Sequence, residues 1–267
     1  MIIGIDIGCT TTKAVAVKEG RVVKTIKTKA FDAVTSATGA LGKLMIESDI
    51  SMSAINSIAI TGAGAFKIEN NLFGIKTDKV DEITAIGKGG LFLSGKEKLV
   101  ISNIGTGTSI IEAGKDGIFH IGGTAIGGGT ITGLSKELIK ATSFDTILRL
   151  ADKGDLHQVD LLIEDISDSE ISFLNKKATA SNFGKMLDTA SREDIALGII
   201  NMVYQVIGMI SVFAARSRNL ESVLITGNGS NNPIGKKILE EISGIYSIKF
   251  EFPLLAEYTT AIGAALK

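Results

Sequence analysis

Isoleucines at positions 2, 3, 5 and 7 surround a single acid, Asp6, and the apolar run then breaks at "GCTTT" before resuming as "KAVAV". That pattern predicts two hairpin strands over 2–8 and 12–18, with a third over 21–28 joined at "EGR". Residues 33–48 carry a helical pattern, and "INSIAITGAG" (55–64) reads as a buried strand running into a glycine turn. A helix is expected to start at Asp81 or Glu82 and to run to about Phe92, since acids suit the first turn of a helix. "EKLVISNIGTGTSIIEAGKDGIFHIGG" (97–123) predicts a second set of hairpin strands. Beyond Gly127 the pattern is mostly helical, with a long apolar stripe from about Glu193 to Arg218. "SVLITGNGS" (222–230) is one more buried strand and turn, and "TTAIGAALK" (259–267) is a closing helix.

Two of these segments occur twice. "IDIGCTTT" (5–12) superposes on "SNIGTGTS" (102–109), matching Ile7 with Ile104, Gly8 with Gly105 and Thr11 with Thr108. "SIAITGAG" (57–64) superposes on "SVLITGNG" (222–229), matching Thr61 with Thr226, Gly62 with Gly227 and Gly64 with Gly229. A hairpin loop followed by a strand and glycine turn, in the same order in both halves, predicts a duplicated α/β unit.

Composition narrows the classes of function. The chain has 267 residues, 45% of them hydrophobic, enough to bury one large core or two smaller ones. A net charge of −1 gives no broad attraction to nucleic acid or anionic membrane. The single cysteine, Cys9, excludes an internal disulfide and a multi-cysteine metal cluster supplied by one chain. The N-terminus enters a strand pattern without a basic leader, and no uninterrupted apolar run approaches the roughly 20 residues of a membrane span. A soluble cytoplasmic protein is therefore expected. Glycine is abundant, at 31 residues against 2 prolines, which suits backbone that turns sharply or approaches a ligand.

Small, hydroxyl-rich hairpin loops expose several backbone N–H groups, which together form an anion-binding concavity. Facing loops from two halves can grip a polyphosphate from both sides. Asp6 suits a hydrated Mg²⁺, which keeps several waters and takes only one or two carboxylates. The second half carries neutral Asn103 at that place, as one metal ion for the whole site requires. Gly127, Gly128 and Gly129 directly precede a helical pattern, where free N–H groups and the helix dipole favour phosphate. Transfer to an alcohol also needs a carboxylate near the acceptor hydroxyl, and Glu82 is the best candidate, although an ordinary first-turn acid beside Asp81 looks the same. "GLFLSGKE" (90–97) approaches a Walker loop, but Glu97 stands where Ser or Thr has to hold Mg²⁺. "GAGAFK" (62–67) places Lys67 at the last glycine of a dinucleotide fingerprint.

Together these segments resemble the actin/hexokinase/Hsp70 superfamily, and within it the type II pantothenate kinases. "IGIDIGCTTTKAV" is similar to the first phosphate motif, "VISNIGTGTSII" to the second, "SVLITGNGSNNP" to the adenosine motif and "YTTAIGAAL" to the second connecting motif. "VDEITAIGKGG", "IGGTAIGGGTITGL" and "TASNFG" (179–184) carry the resemblance to the kinase family itself, which extends over essentially the whole chain. It implies duplicated ribonuclease-H-like (actin-like ATPase) lobes, 1–94 and 95–267, with a nucleotide cleft between them. It also implies ATP- and Mg²⁺-dependent phosphorylation of pantothenate, the first step of coenzyme A synthesis. The enzyme would be a homodimer joined through helices such as 193–218, with an acyl-CoA as regulator.

Carried over by position, Glu82 matches the catalytic base, and Asp6, Gly8, Thr10, Thr11, Thr12 and Lys13 belong to the first phosphate motif. Gly105, Thr106, Gly107 and Thr108 match the second loop, Gly127 to Gly129 the loop beside the nucleotide, and Gly227 and Gly229 the adenosine motif. Gly122, Gly123, Thr179, Asn182 and Tyr258 fall in the acceptor regions. The departure is His120, which stands where the family has an Arg for the substrate carboxylate. A neutral imidazole lacks the bidentate, charge-assisted pairing of a guanidinium. Either another group, such as Lys88 or Arg216, takes that part, or the acceptor differs, or His120 is structural.

Three other readings compete. An ATP-dependent activator of a 2-hydroxyacyl-CoA dehydratase has a similar opening but needs cysteines for an iron–sulfur cluster. A sugar kinase on the same fold needs a catalytic Asp in the glycine-flanked region, where none is evident. A non-catalytic nucleotide switch needs only lobes that close on ATP.

Overall fold

Alternation places Ile3, Ile5 and Ile7 in the core of strand β1 (Ile2–Ile7), each at most 2% exposed. Burying such a side chain is worth about 1.5–3 kcal/mol, so the register of this strand is strongly specified. The computed structural model describes residues 1–69, 71–167 and 176–267. In it β1 pairs antiparallel with β2 (Thr11–Lys18), which pairs with β3 (Arg21–Lys29). Helix α1 (Ala33–Ser48), capped by Asp32 through the Thr35 N–H, crosses to β4 (Ser57–Thr61), which lies parallel to β1. The short β5 (Asn71–Leu72) and β6 (Ile75–Lys79) complete a sheet of order β3-β2-β1-β4-β6-β5. Helix α2 (Glu82–Ser94) follows, with Asp81 as its N-cap, accepting from the Thr84 N–H.

The second unit repeats the plan. β7 (Lys98–Ile104), β8 (Thr108–Gly114) and β9 (Gly117–Thr124) form consecutive antiparallel pairs. Then come α3 (Gly128–Ile139), α4 (Phe144–Ala151), the ribbon of β10 (Leu161–Leu162) and β11 (Thr179–Ser181) flanking α5 (Ile163–Ile166), and α6 (Arg192–Ser217). β12 (Ser222–Thr226) joins β7 in parallel, and α7 (Pro233–Tyr246), β13 (Lys249–Glu251) and α8 (Thr259–Ala265) end the chain. The order β13-β12-β7-β8-β9 matches β6-β4-β1-β2-β3, so the expected duplicated α/β architecture is present. One detail of the repeat differs. Ile7 faces Thr12, whereas Ile104 faces Thr108, so the second loop is one residue shorter and Thr108 corresponds to Thr12 rather than Thr11.

The glycine turns after β4 and β12 are built alike. Gly62 and Gly227 have φ of +86° and +80°, and a Cβ there would lie 2.7 Å from Asp6 Oδ1 or 2.9 Å from Asn103 Oδ1. Only glycine lets these turns run so close to the ends of β1 and β7.

The two units exchange helices. α2 lies on the second sheet through Ile86, beside Ile101 and Ile111, while α8 returns to the first sheet through Ala261, beside Val15 and Val17. The two helices cross at bare backbone: a Cβ on Gly89 would lie 2.0 Å from the Thr259 carbonyl oxygen, and one on Gly263 1.7 Å from that of Ala85. Gly263→Ala is therefore expected to lower stability by about 1–3 kcal/mol through overpacking. Thermal unfolding of the variant tests this, and an unchanged melting temperature would contradict the crossing.

The 26-residue α6 is, among the described residues, the one helix long and apolar enough to cross a membrane, and 61% of its apolar 18-residue window is buried in the protein. Ile199, Ile200, Val203 and Ile207 on it belong to the core of the second sheet. β10, β11 and β13 interrupt the helical reading beyond Gly127; at two or three residues each they are too short to show a period.

Candidate active site

The two hairpin loops and the two glycine turns meet around one cleft of about 320 Å³. The first loop closes by Gly8 N–H donating to the Thr11 carbonyl at 3.2 Å, which turns Cys9 and Thr10 outward, both exposed on the cleft. Gly105, Thr106, Gly107 and Thr108 face them from the second loop. Gly62, Gly227, Asn228 and Thr260 line the remaining wall, and Glu82 enters from the first turn of α2.

Opposite charges are unevenly shared here. Asp6 and Lys13 are register partners on β1 and β2, both nearly buried, with Nζ 3.5 Å from Oδ2. Burial pushes the Asp6 carboxyl above the ordinary range, and Lys13 opposes this. Glu82 is also pushed up, first by desolvation, then by the charges of Asp6 and Asp81, again with Lys13 opposing. Asp6 and Glu82 are two carboxylates against the one ammonium of Lys13, an excess of acceptors that fits a divalent cation. Among the described residues no group of three or more His, Cys, Asp or Glu can cage a metal ion. The donor set therefore suits Mg²⁺, which completes its shell with water and substrate oxygens. At the matching position of the second unit Asn103 faces Ser109 and accepts from Thr226 Oγ1 at 3.0 Å, a neutral copy of the same corner.

A carboxylate with a raised pKa gives a definite sign if it is to take a proton from the acceptor. Glu82 accepts a proton only when ionised, so turnover is expected to rise with pH along a limb above the ordinary glutamate range. A pH profile of kcat tests this, and a limb at or below that range contradicts the assignment.

The glycine run before α3 differs from expectation. Gly128 and Gly129 donate their N–H groups to the carbonyls of Gly105 and Thr106, both at 2.9 Å, so this helix N-terminus is already occupied by the second loop. A Cβ on Gly127 would lie 2.6 Å from the Thr106 carbonyl oxygen. Gly127 to Gly129 form the floor beneath the loop rather than a wall of the cleft. Thr108 Oγ1 is likewise engaged, donating to the Ile126 carbonyl at 2.8 Å.

Thr12 is fully buried, on the opposite face of β2 from Thr11 and Lys13, which line the cleft. Gly229 packs on Ile104, and its carbonyl accepts from Tyr204 Oη at 2.7 Å. His120 is exposed on β9 and pairs with Ile111, whose side chain meets Ile86 of α2. It therefore stands on the α2 side of the sheet, between Ile118, which packs at Gly87, and Thr124, which lines the cleft. Gly122 and Gly123 continue that strand. Thr179 and Asn182 lie apart from the cleft, gathered around Asp160. Tyr258 sits among Val15, Val17 and Ala261 behind α8, outside the cleft, with its hydroxyl at Thr25. Arg216 is occupied, donating to the Tyr246 carbonyl at 2.9 Å and lying 5.5 Å from its ring centroid.

Asn228 was not among the expected site residues. Its Nδ2 donates to Thr11 Oγ1 at 3.1 Å, tying the second unit's turn to the first unit's loop. The repeat carried the signal, since Ala63 stands where the second copy has Asn228.

A family model described as Fumble matches residues 98–267. The type II pantothenate kinase of Bacillus anthracis is 31% identical over 247 residues, covering 87% of this chain and 84% of that protein. Among solved structures, the activator of the 2-hydroxyisocaproyl-CoA dehydratase from Clostridium difficile with bound ADPNP matches with TM-score 0.69 and 20% identity, covering 99% of this chain and 92% of the other. A ROK family glucokinase from Streptomyces griseus in complex with glucose and AMPPNP matches with TM-score 0.62 and 14% identity, covering 99% and 97%. Both structural likenesses concern the two-domain fold alone.

Proposed function

This chain belongs to the type II pantothenate kinases, and on that premise we propose how its cleft moves a phosphoryl group onto pantothenate. The enzyme converts ATP and pantothenate to ADP and 4′-phosphopantothenate, at the entry to coenzyme A synthesis. The observation that carries the mechanism is the convergence of Asp6, Lys13 and Glu82 on one cleft between two facing hydroxyl loops.

Thr10, Thr11 and Thr106, with the loop N–H groups around Gly8, Gly105 and Gly107, hold the polyphosphate from both sides. Thr12 and Thr108 brace the loop ends, and Gly127 to Gly129 keep the second loop at its height. Gly227 and Gly229 shape the turn that receives the nucleoside. Lys13 neutralises phosphate charge from within the cleft. Asp6 would hold Mg²⁺, which when bound would offset the negative charge that develops on the phosphate oxygens. Glu82 accepts the proton of the pantothenate hydroxyl as its oxygen bonds to the γ-phosphorus and the bond to the β–γ bridging oxygen breaks.

His120, with Gly122 and Gly123, faces the acceptor along β9, whereas a part for Thr179 and Asn182, which gather around Asp160, is proposed from the family likeness alone. With Arg216 occupied at Tyr246, His120 is proposed for the pantothenate carboxylate, with Lys88 as the other candidate. Tyr258 seats α8. The lobes are taken as 1–94 and 95–267, with α8 returning to the first. The homodimer is assigned to α6, which keeps Phe213 60% exposed on its outer face. An acyl-CoA regulator is proposed from the family likeness, as is a cytoplasmic location. ADP release measured against a panel of acceptors tests this reading. Release is expected to depend on pantothenate, and release driven equally by hexoses would overturn it.

A further inference from the structure

Asn228 reaches from the second unit's glycine turn to the first unit's loop, and one end of its amide has no partner. Its Nδ2 donates to Thr11 Oγ1 at 3.1 Å, while its Oδ1 is buried and unpaired among the described residues. An unpaired buried carbonyl oxygen costs free energy, so this amide is kept at some expense to stability. Both side chains line the cleft. Their backbones are held on either side. The Gly227 N–H donates to the Ala256 carbonyl at 3.0 Å, and the Gly227 carbonyl accepts from Ser230 Oγ at 2.7 Å. The Gly229 carbonyl accepts from Tyr204 Oη at 2.7 Å. Beside Thr11, the Ala30 N–H donates to the Thr10 carbonyl at 3.0 Å and fixes the loop against the end of β3.

The turn itself does not require an amide. The first unit's turn closes through the Ala65 N–H donating to the Gly62 carbonyl at 3.0 Å, as the Ser230 N–H does to the Gly227 carbonyl at 3.2 Å. Ala63 stands there in the place of Asn228. What the amide adds is its reach to the opposite loop, and the direction of that bond decides what Thr11 can do. A hydroxyl has one hydrogen to donate and two lone pairs that accept. With Oγ1 accepting from Asn228, the hydrogen of the Thr11 hydroxyl points away from the amide. No group among the described residues accepts it, and Thr11 is only half-buried, so it is left to the cleft. A hydroxyl that accepts one hydrogen bond also becomes a stronger donor of the next, because such chains polarise along their length.

We propose that Asn228 is a positioning residue for the nucleotide: by donating to Thr11 Oγ1 it turns the Thr11 hydroxyl hydrogen into the cleft, toward a phosphate oxygen of ATP. This rests on the reading of the first loop as phosphate-binding. Because the amide and the hydroxyl belong to different units, the hydroxyl is presented in this way only while the two units keep this separation.

The test is a double-mutant cycle on the full chain, with Asn228→Ala, Thr11→Val and the two together. The dissociation constant of a non-hydrolysable ATP analogue is measured in the presence of Mg²⁺, alongside the melting temperature. Ala is already the residue of the matching turn, and Val keeps the β-branched shape that suits the start of β2. Thr11→Val is expected to weaken analogue binding about tenfold or more, and Asn228→Ala about threefold to tenfold. The double variant is expected to bind about as weakly as Thr11→Val alone, since Asn228 acts through the hydroxyl. Thr11→Ser, which keeps the hydroxyl, is expected to retain most of the affinity and to remain sensitive to Asn228→Ala. If Asn228→Ala leaves binding unchanged while Thr11→Val weakens it, the role of Asn228 is overturned and the phosphate reading of the loop stands. Losses that multiply in the double variant would place Asn228 on another part of the nucleotide and also overturn the proposal. If Thr11→Val itself leaves binding unchanged, the phosphate reading of this hydroxyl falls, and the role of Asn228 with it. Losses that track a lowered melting temperature across the variants would show a merely structural tie between the units and overturn it as well.

Discussion

Glu82→Gln is expected to lower kcat for pantothenate phosphorylation by about a hundredfold or more while leaving ATP binding nearly intact. Gln has the shape of Glu, and the first turn of α2 is held by Asp81, which accepts from both the N–H and the hydroxyl of Thr84. The helix start therefore survives the change. What is lost is a cleft carboxylate whose pKa is raised, first by desolvation and then by the charges of Asp6 and Asp81. Removing its charge also relieves Asp6, so nucleotide affinity is not expected to fall. Turnover from ADP release and affinity from titration with a non-hydrolysable ATP analogue separate the two effects. A kcat close to that of the parent enzyme would remove Glu82 from the role of base.

Asp6→Asn is expected to have an effect of similar size by another route, lowering kcat/KM for Mg²⁺-ATP by about a hundredfold and flattening the response to Mg²⁺. The protein already contains the variant's geometry, because Asn103 occupies the same position in the second unit and accepts from Thr226. Thr61, the counterpart of Thr226, has a buried hydroxyl without a partner and can serve the introduced amide in the same way. Lys13 then loses its partner, so some stability is lost as well. Measuring turnover across a Mg²⁺ titration distinguishes a metal ligand from a structural acid. An unchanged Mg²⁺ dependence would take Asp6 out of the metal site.

Much of the architecture was legible because it is written in short-range periods. Alternating isoleucines marked β1, and the paired "ITG" turns marked the duplication before any pairing was known. Other features depended on what folds against what. Thr11 and Thr12 are neighbours in sequence, yet one lines the cleft and the other is buried, and the end of the loop decides which. A free helix N-terminus and one already filled by a neighbouring loop look alike in "GGGT", so the floor role of Gly127 to Gly129 could not be read. Asn228 was hidden between two informative glycines. The crossing of Gly89 and Gly263 joins residues from distant parts of the chain, and nothing local marks it. Asp160 looks like any other acid in the sequence, since its four donors among the described residues come from segments up to 41 residues away.

The same stretch of α6 reaches two regions. Asn201 and Gln205 face the Asp160 cluster, while Tyr204 donates to the Gly229 carbonyl at the second glycine turn. A change on one face of this turn is therefore placed to be felt on the other.

Glu82 and Asp6 are proposed to act together to move the γ-phosphoryl group of ATP onto the hydroxyl of pantothenate. The most direct measurement is to incubate the purified enzyme with ATP, Mg²⁺ and pantothenate and identify the product by mass spectrometry, with phosphorus–proton coupling to locate the new ester. 4′-Phosphopantothenate is expected in amounts equal to the ADP formed, and nearly none with Glu82→Gln. ADP formed without a phosphorylated pantothenate, or product formed equally well by Glu82→Gln, would contradict it.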